Sequence, residues 1–152
     1  MTGTQSGSDG QRRKAQCLCG SVRFSAVPVS AETSVCHCHM CQRWAAGPYF
    51  GVHCGNSVEF EADDDLVRYH SSQWAERGFC RKCGTSLFWN LRGKDDYHVS
   101  LSALEGGQDL SFTTEIFIDE KPDTYEFAND TKKLTGEELF AMFSGGQEQS
   151  DD

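Results

Sequence analysis

Gly78-Phe79-Cys80-Arg81-Lys82-Cys83-Gly84-Thr85-Ser86-Leu87-Phe88 reads as a hairpin whose turn carries a CxxC pair and whose exit, residues 86–91, is strand-like and rich in apolar and aromatic side chains. Two further cysteine groups lie upstream, Cys17-Leu18-Cys19 and Cys36-His37-Cys38-His39-Met40-Cys41. In an extended segment residues i and i+2 project to one face, so each CxC pair aims two thiols at a common point, and CxxC does the same through a turn. Seven clustered cysteines divide most simply into a set of four, Cys17, Cys19, Cys80 and Cys83, and a set of three, Cys36, Cys38 and Cys41. The set of four would tie an early strand to the later hairpin and close a loop of roughly sixty residues, with Gly20 and Gly84 suited to the tight backbone around a metal.

Working outward, most segments are short and alternate apolar with polar residues. Residues 22–26, 49–52, 58–60, 66–69, 86–91, 97–101 and 115–118 are strand candidates, separated by Gly, Asn or Asp. One helix is signposted near the C-terminus: Thr135 as N-cap, Glu138 as its capping-box partner, Leu134 placed to staple against Leu139, and Phe140 and Phe143 continuing one face until Ser144-Gly145-Gly146. The expected class is mostly β with small helical pieces. The 152 residues suit one domain, set here at 15–144, flanked by polar tails over 1–14 and 145–152.

The formal charge of −9 is unevenly spread: residues 1–62 carry +1, 63–100 are neutral, and 101–152 carry −10. That balance argues against a nucleic-acid surface without forbidding an anionic small molecule near the cysteines. No apolar run approaches the roughly 18 residues needed to span a bilayer, and the first sixteen residues are polar, so neither membrane partner nor secretory signal is expected and the protein is expected to be cytoplasmic. Eight cysteines in a reducing compartment point to metal ligation or catalysis rather than disulfides.

A zinc ion held by four thiolates is closed and structural, whereas three thiolates leave one coordination position for water or substrate. Counting donors therefore becomes a functional argument: the two sets predict two zinc ions, one in a four-cysteine site and one in a three-cysteine site with an open corner. Cys54, His37, His39 and His53 each offer a fourth donor that would close the second site, and sequence leaves that alternative standing. Cys54 otherwise reads as a packed thiol, His70 and His98 as structural or surface histidines, and Asp63-Asp64-Asp65 as a solvated turn.

The three groups, in their order and with their flanks (Cys17 through Phe24, Cys36 through Arg43, Gly78 through Phe88), are similar to those of the glutathione-dependent formaldehyde-activating enzyme family, also called the centromere-protein-V-like domain family. The likeness runs from Cys17 to about Glu138. It implies a β-tent fold of packed antiparallel sheets with a short C-terminal helix. It also implies structural zinc at Cys17, Cys19, Cys80 and Cys83, and a catalytic zinc at Cys36, Cys38 and Cys41. Many relatives place a His near the start of the last strand and a Trp after it, where this chain has Glu115 and Tyr125. Family members act as carbon–sulfur lyases that make or break S-hydroxymethylglutathione, so the implied partners are a small-molecule thiol, glutathione or an analogue, and an aldehyde.

On that reading Arg43, Arg81 and Lys82 offer charge-assisted hydrogen bonds to substrate carboxylates, against the competing reading of solvated surface. Trp44, Tyr49 and Phe50 would wall the site or simply pack as core. Two other function classes compete with the enzyme: a metal-stabilised interaction module, which needs only the four-cysteine site, and a redox sensor in which the three clustered cysteines pair on oxidation.

Overall fold

The computed structural model describes residues 10–147, with side chains to residue 142. The strands are β1 (Arg13–Gln16), β2 (Arg23–Ala26), β3 (Glu32–Cys36), β4 (Tyr49–Gly55), β5 (Glu59–Ala62), β6 (Leu66–His70), β7 (Ala75–Cys80), β8 (Ser86–Leu91), β9 (Tyr97–Ser100), β10 (Ser111–Ile116) and β11 (Lys132–Leu134). Two α-helices are present, α1 (His39–Ala45) and α2 (Gly136–Gln147). The class is mostly β, as expected, and no helix among the described residues is long and apolar enough to cross a membrane. The chain divides into two compact units: one holds residues up to Thr33 together with Phe50–Ser111, the other Ser34–Tyr49 together with residues from Phe112 onward.

In the first unit β1, β2 and β5 form one antiparallel sheet, and β4, β9, β8, β7 and β6 follow one another in a second antiparallel run. Its core centres on Phe88, which is fully buried; the Tyr97, Phe60 and Phe24 rings lie 5.0, 6.0 and 6.3 Å from it. The Arg68 guanidinium covers Phe88 at 5.2 Å and donates to the Tyr97 hydroxyl at 2.9 Å, so a charge caps the aromatic cluster instead of breaking it. Opposite Phe88 on β7 stands Gly78. A Cβ there would lie 2.6 Å from both Phe88 Cε atoms, which is why this strand carries a glycine and was invisible to a pattern search.

The second unit holds β10 paired in parallel with β11, and β10 beside β3. That parallel pair departs from the all-antiparallel expectation. The expected strand over 115–118 ends at Ile116, because Phe117 takes a left-handed conformation (φ +57°) and a 3-10 turn follows over Ile118–Glu120. The capping box of α2 is present: the Thr135 hydroxyl accepts from the Glu138 N–H at 3.0 Å and the Glu138 carboxylate accepts from the Thr135 N–H at 2.8 Å. The helix runs through Gly145 and Gly146 to Gln147; glycine there weakens a helix by about 1 kcal/mol without forbidding it. The side chain of Phe143, and the tails over 1–9 and 148–152, lie outside the described residues.

The N-terminal boundary also moves. Arg13 and Lys14, assigned to the tail, belong to β1. Arg13 donates to Gly106 O at 2.7 Å and pairs with Asp109 at 3.1 Å, while the Glu105 N–H bonds to Lys14 O at 2.8 Å. A four-residue strand reading Arg-Lys-Ala-Gln buries only Ala15 deeply, so no apolar alternation announces it.

Candidate metal centres

Cys17 and Cys19 follow β1 in a turn closed by Gly20 N–H to Cys17 O at 3.2 Å, with Gly20 at φ +83°. Cys80 ends β7, and Cys83 lies in the turn to β8, closed by Gly84 N–H to Cys80 O at 2.8 Å, with Gly84 at φ +80°. Both glycines occupy the left-handed region, where a Cβ is penalised. The Leu18 N–H donates to the Thr85 hydroxyl at 3.0 Å and joins the two turns. The four sulfurs lie within 4.8 Å of one another, with Cys17–Cys19 at 3.6 Å and Cys19–Cys80 at 3.8 Å.

Four sulfurs at about 2.3 Å from one tetrahedral ion stand about 3.8 Å apart, so the spacing fits a metal and is far too long for a disulfide. Backbone N–H groups point at the sulfurs: Val22 to Cys17 at 3.3 Å, Lys82 to Cys80 at 3.3 Å and Cys83 to Cys80 at 3.4 Å. Burial pushes the Cys17 thiol up, but the Val22 N–H and the neighbouring Cys19 and Cys80 outweigh it and hold the pKa below the ordinary value. The Thr85 hydroxyl, 3.1 Å from Cys83, and the Thr85 backbone bring Cys83 down to about 5. Cys17 and Cys83 are thus biased toward the thiolate that ligation requires, whereas Cys19, despite its Ser21 hydrogen bonds, is held above the ordinary value by burial and the neighbouring Cys17 and Cys83 sulfurs.

The second unit holds the other set. Cys36 ends β3, Cys38 is the N-cap of α1, and Cys41 sits in its first turn, with its N–H donating to Cys38 Sγ at 3.3 Å. Helix α1, which sequence did not predict, is thus what folds the compact CxCxxC spacing into a three-sulfur cluster; its sulfurs also lie within 4.8 Å of one another. The Cys36 thiol is pushed far up, first by the Cys38 and Cys41 sulfurs and then by burial. Three thiolates so close would repel one another, and a cation held by all three would offset that repulsion.

The four proposed fourth donors are placed elsewhere. His37 lies between two of the cysteines but is fully buried and turned away: its Nε2 is 2.9 Å from the Glu115 carboxylate and its Nδ1 is 2.9 Å from the Tyr125 hydroxyl. Both ring nitrogens are used, so His37 does not close the set. His39 is exposed and pairs with Glu120 at 3.4 Å. Cys54 sits in the first unit's core, its thiol pushed up to about 12 by burial, and His53 faces Asp96 at 2.7 Å. Among the described residues no fourth His, Cys, Asp or Glu joins Cys36, Cys38 and Cys41.

A buried network that sequence reading missed surrounds His37. Glu115, 1% exposed, accepts from the Thr131 hydroxyl at 2.6 Å and has Lys133 Nζ 3.9 Å away. Burial pushes its carboxyl up, but the Thr131 and His37 hydrogen bonds and the nearby Lys133 charge outweigh this and leave it below the ordinary value. Glu115 is therefore an ionised acceptor, which puts a proton on His37 Nε2. The one available signal was indirect: Glu115 and Tyr125, the two positions where this sequence departs from its resemblance, are the two partners of His37.

Among the candidate cations, Arg43 is exposed in the last turn of α1. Arg81 is engaged at the Asp turn, donating to Asp64 O at 2.9 Å and pairing with Asp65 at 3.5 Å, and Lys82 pairs with Asp65 at 3.6 Å. The Asp63–Asp65 segment is a turn as expected, bonded Leu66 N–H to Asp63 O, but a paired rather than a merely solvated one. Trp44 and Tyr49 pack at 5.2 Å with their ring planes tilted by 44° in the second unit, Tyr49 buried and Trp44 half-buried.

The order of the three cysteine groups, two in turns and the third at the junction of β3 and α1, accompanies a family match. The model of the glutathione-dependent formaldehyde-activating enzyme fits residues 12–120. The chain belongs to that family. The formaldehyde-activating family assignment is accompanied by a relative from the fission yeast Schizosaccharomyces pombe (strain 972), named an uncharacterized lyase, which is 32% identical over 127 residues, 83% of this chain and 93% of its own. A crystal structure of a Rhodobacter sphaeroides protein superposes with a TM-score of 0.54 at 22% identity, covering 66% of this chain and 99% of its own; that likeness concerns the fold. Both cysteine clusters of this family member can hold metal ions, and the family and the fission-yeast relative support a lyase-type enzyme.

Proposed function

We propose that the protein is a zinc-dependent carbon–sulfur lyase that forms or breaks a thiol–aldehyde adduct of the S-(hydroxymethyl)glutathione type, with Cys36, Cys38 and Cys41 as its catalytic centre. The observation that carries this reading is the three-sulfur cluster without a fourth protein donor among the described residues. Cys17, Cys19, Cys80 and Cys83 would hold a second, structural zinc. Bound by three thiolates, zinc supplies a Lewis acid able to take one further soft ligand or a carbonyl oxygen.

In the synthetic direction the thiol sulfur bonds to the aldehyde carbon, the carbonyl π bond breaks, and the thiol proton ends on the new hydroxyl oxygen. The lyase direction reverses each change. The protein's own part is to position and to exclude water. Arg43 offers a fixed positive charge to substrate carboxylates. Arg81 offers its charge only in competition with Asp65. The Trp44–Tyr49 pair supplies apolar surface beside α1. Glu115 and Tyr125 hold His37 off the sulfurs and fix the backbone between Cys36 and Cys38.

The test is metal quantitation together with thiol–aldehyde exchange measured by NMR across a thiol panel that includes glutathione. Wild type should bind two zinc equivalents and accelerate exchange; Cys38→Ala should stay folded, lose one equivalent and lose the acceleration. A fully metallated wild type that accelerates exchange for no thiol, or a Cys38→Ala variant as active as wild type, overturns the proposal.

A further inference from the structure

A third group of metal-type donors, sharing no residue with either cysteine cluster, stands in the first unit. Strand register sets His53 on β4 opposite His98 on β9, and His98 opposite Trp89 on β8. Residues directly opposite share a sheet face, so three rings form a row across three strands. Trp89 and His98 stack at 4.1 Å with 4° between their planes, and His98 and His53 stack at 4.5 Å with 10°. Asp96, immediately before β9, places Oδ1 2.7 Å from His53 Nε2. The donor atoms of His53, Asp96 and His98 all lie within 4.8 Å of one another.

We propose that His53, Asp96 and His98 form a further cation site that takes one late first-row divalent ion, such as Zn2+ or Ni2+, through two imidazole nitrogens and one carboxylate oxygen, with water completing its shell. Three features converge on this. Two imidazoles with one carboxylate suit borderline ions, whereas Mg2+ and Ca2+ demand oxygen ligands. Donors sharing one ion at about 2.0–2.2 Å stand about 3–3.5 Å apart; to reach that, the 2.7 Å His53–Asp96 contact opens and the His53 ring turns out of its stack on His98, for which the His53 and Asp96 side chains, 45% and 35% exposed, have room. An exposed His–Asp ion pair needs no third member, yet the Trp89 stack holds a second imidazole at its side.

Ligation would tie β4 to the turn that enters β9. Its partly exposed donors make the site a reversible one, occupied according to free metal. The inference is independent of the chemistry proposed for the three cysteines.

The test uses the full chain with its cysteine clusters loaded with zinc, and Ni2+ as the paramagnetic probe. Substoichiometric Ni2+ should broaden the ring resonances of His53 and His98 before those of His37, His39 and His70. His53→Ala and Asp96→Asn, both changes at exposed side chains, should each bind Ni2+ at least tenfold more weakly. A large excess of Mg2+ should leave the Ni2+ response unchanged. Equal Ni2+ binding by wild type and both variants, or broadening spread evenly over all five histidines, overturns the site; competition by Mg2+ overturns the ion class. If one variant loses its fold, the other decides the outcome.

Discussion

Truncating Glu115 to alanine removes a buried charge that holds His37, the residue between Cys36 and Cys38. Its carboxylate accepts from Thr131 at 2.6 Å and from His37 at 2.9 Å, and hydrogen bonds to charged groups contribute about 1.5–3 kcal/mol each. Glu115→Ala removes both, leaves the His37 Nε2–H and the Thr131 hydroxyl buried without their acceptor, and opens a cavity. Breaking such a network from one side costs about 3–5 kcal/mol. For a chain of this size each kcal/mol shifts Tm by about 2–4 °C, so a fall of roughly 6–20 °C is expected. Glu115→Gln keeps the volume and one acceptor oxygen and should lose about 1–2 kcal/mol.

The pH dependence has a definite sign. The folded Glu115 carboxyl lies below its ordinary value near 4.5, the Thr131 and His37 bonds overcoming burial. Its contribution is therefore present above that value and lost as pH falls through the lower folded one. Urea and thermal melts of metal-loaded protein, from pH 7 down to about 3, read both effects. The gap between wild type and Glu115→Ala should be constant above about pH 5 and shrink below it. An alanine variant that melts within about 2 °C of wild type at pH 7 would refute the claim that this network carries stability.

Two further outcomes follow from the first unit. Gly78→Ala sets a Cβ 2.6 Å from the Phe88 ring atoms and should destabilise by about 1–3 kcal/mol through overpacking; Phe88→Leu in the same chain should cost less than it does alone, and strict additivity in a double-mutant cycle would contradict the clash. Cys80→Ser removes one of four sulfurs that tie the Cys17 turn to the Cys83 turn, so it should lose one metal equivalent and melt well below Cys38→Ala, because metal ligation there is coupled to folding. Equal melting temperatures for the two variants would remove the distinction between the centres.

Much of the site was legible because its chemistry is written over short spans. Cys17-x-Cys19 and Cys80-x-x-Cys83 orient their sulfurs through backbone geometry within four residues, and the assignment of Gly20 and Gly84 to tight turns needed nothing more than their neighbours. The Thr135–Glu138 box is equally local. Strand β3 escaped notice because Glu-Thr-Ser-Val-Cys is short and polar; of β7 only the hairpin arm entering Cys80 was legible, since the strand interrupts its pattern with a glycine that only the Phe88 ring on the next strand explains. Helix α1 escaped because His-Met-Cys-Gln-Arg-Trp-Ala is only seven residues long and buries only Cys41, too short to show an apolar helical period.

The amino-acid order alone determined the two cysteine pairs and the triplet, the short alternating segments of a mostly β chain, and the start of the last helix, since each is written within a few neighbouring residues; that the Cys17 pair meets the Cys80 pair, 61 positions away, followed from counting ligands and not from a local contact. Tertiary structure alone decided what the remaining polar groups do. His37 stands one residue from two ligand candidates yet bonds to Glu115, 78 positions away; Arg81 spends its charge on Asp65; and His53 meets His98 only because β4 and β9 pair in that register. Partners so far apart in the chain are chosen by strand pairing and burial, and neither leaves a local mark on the sequence.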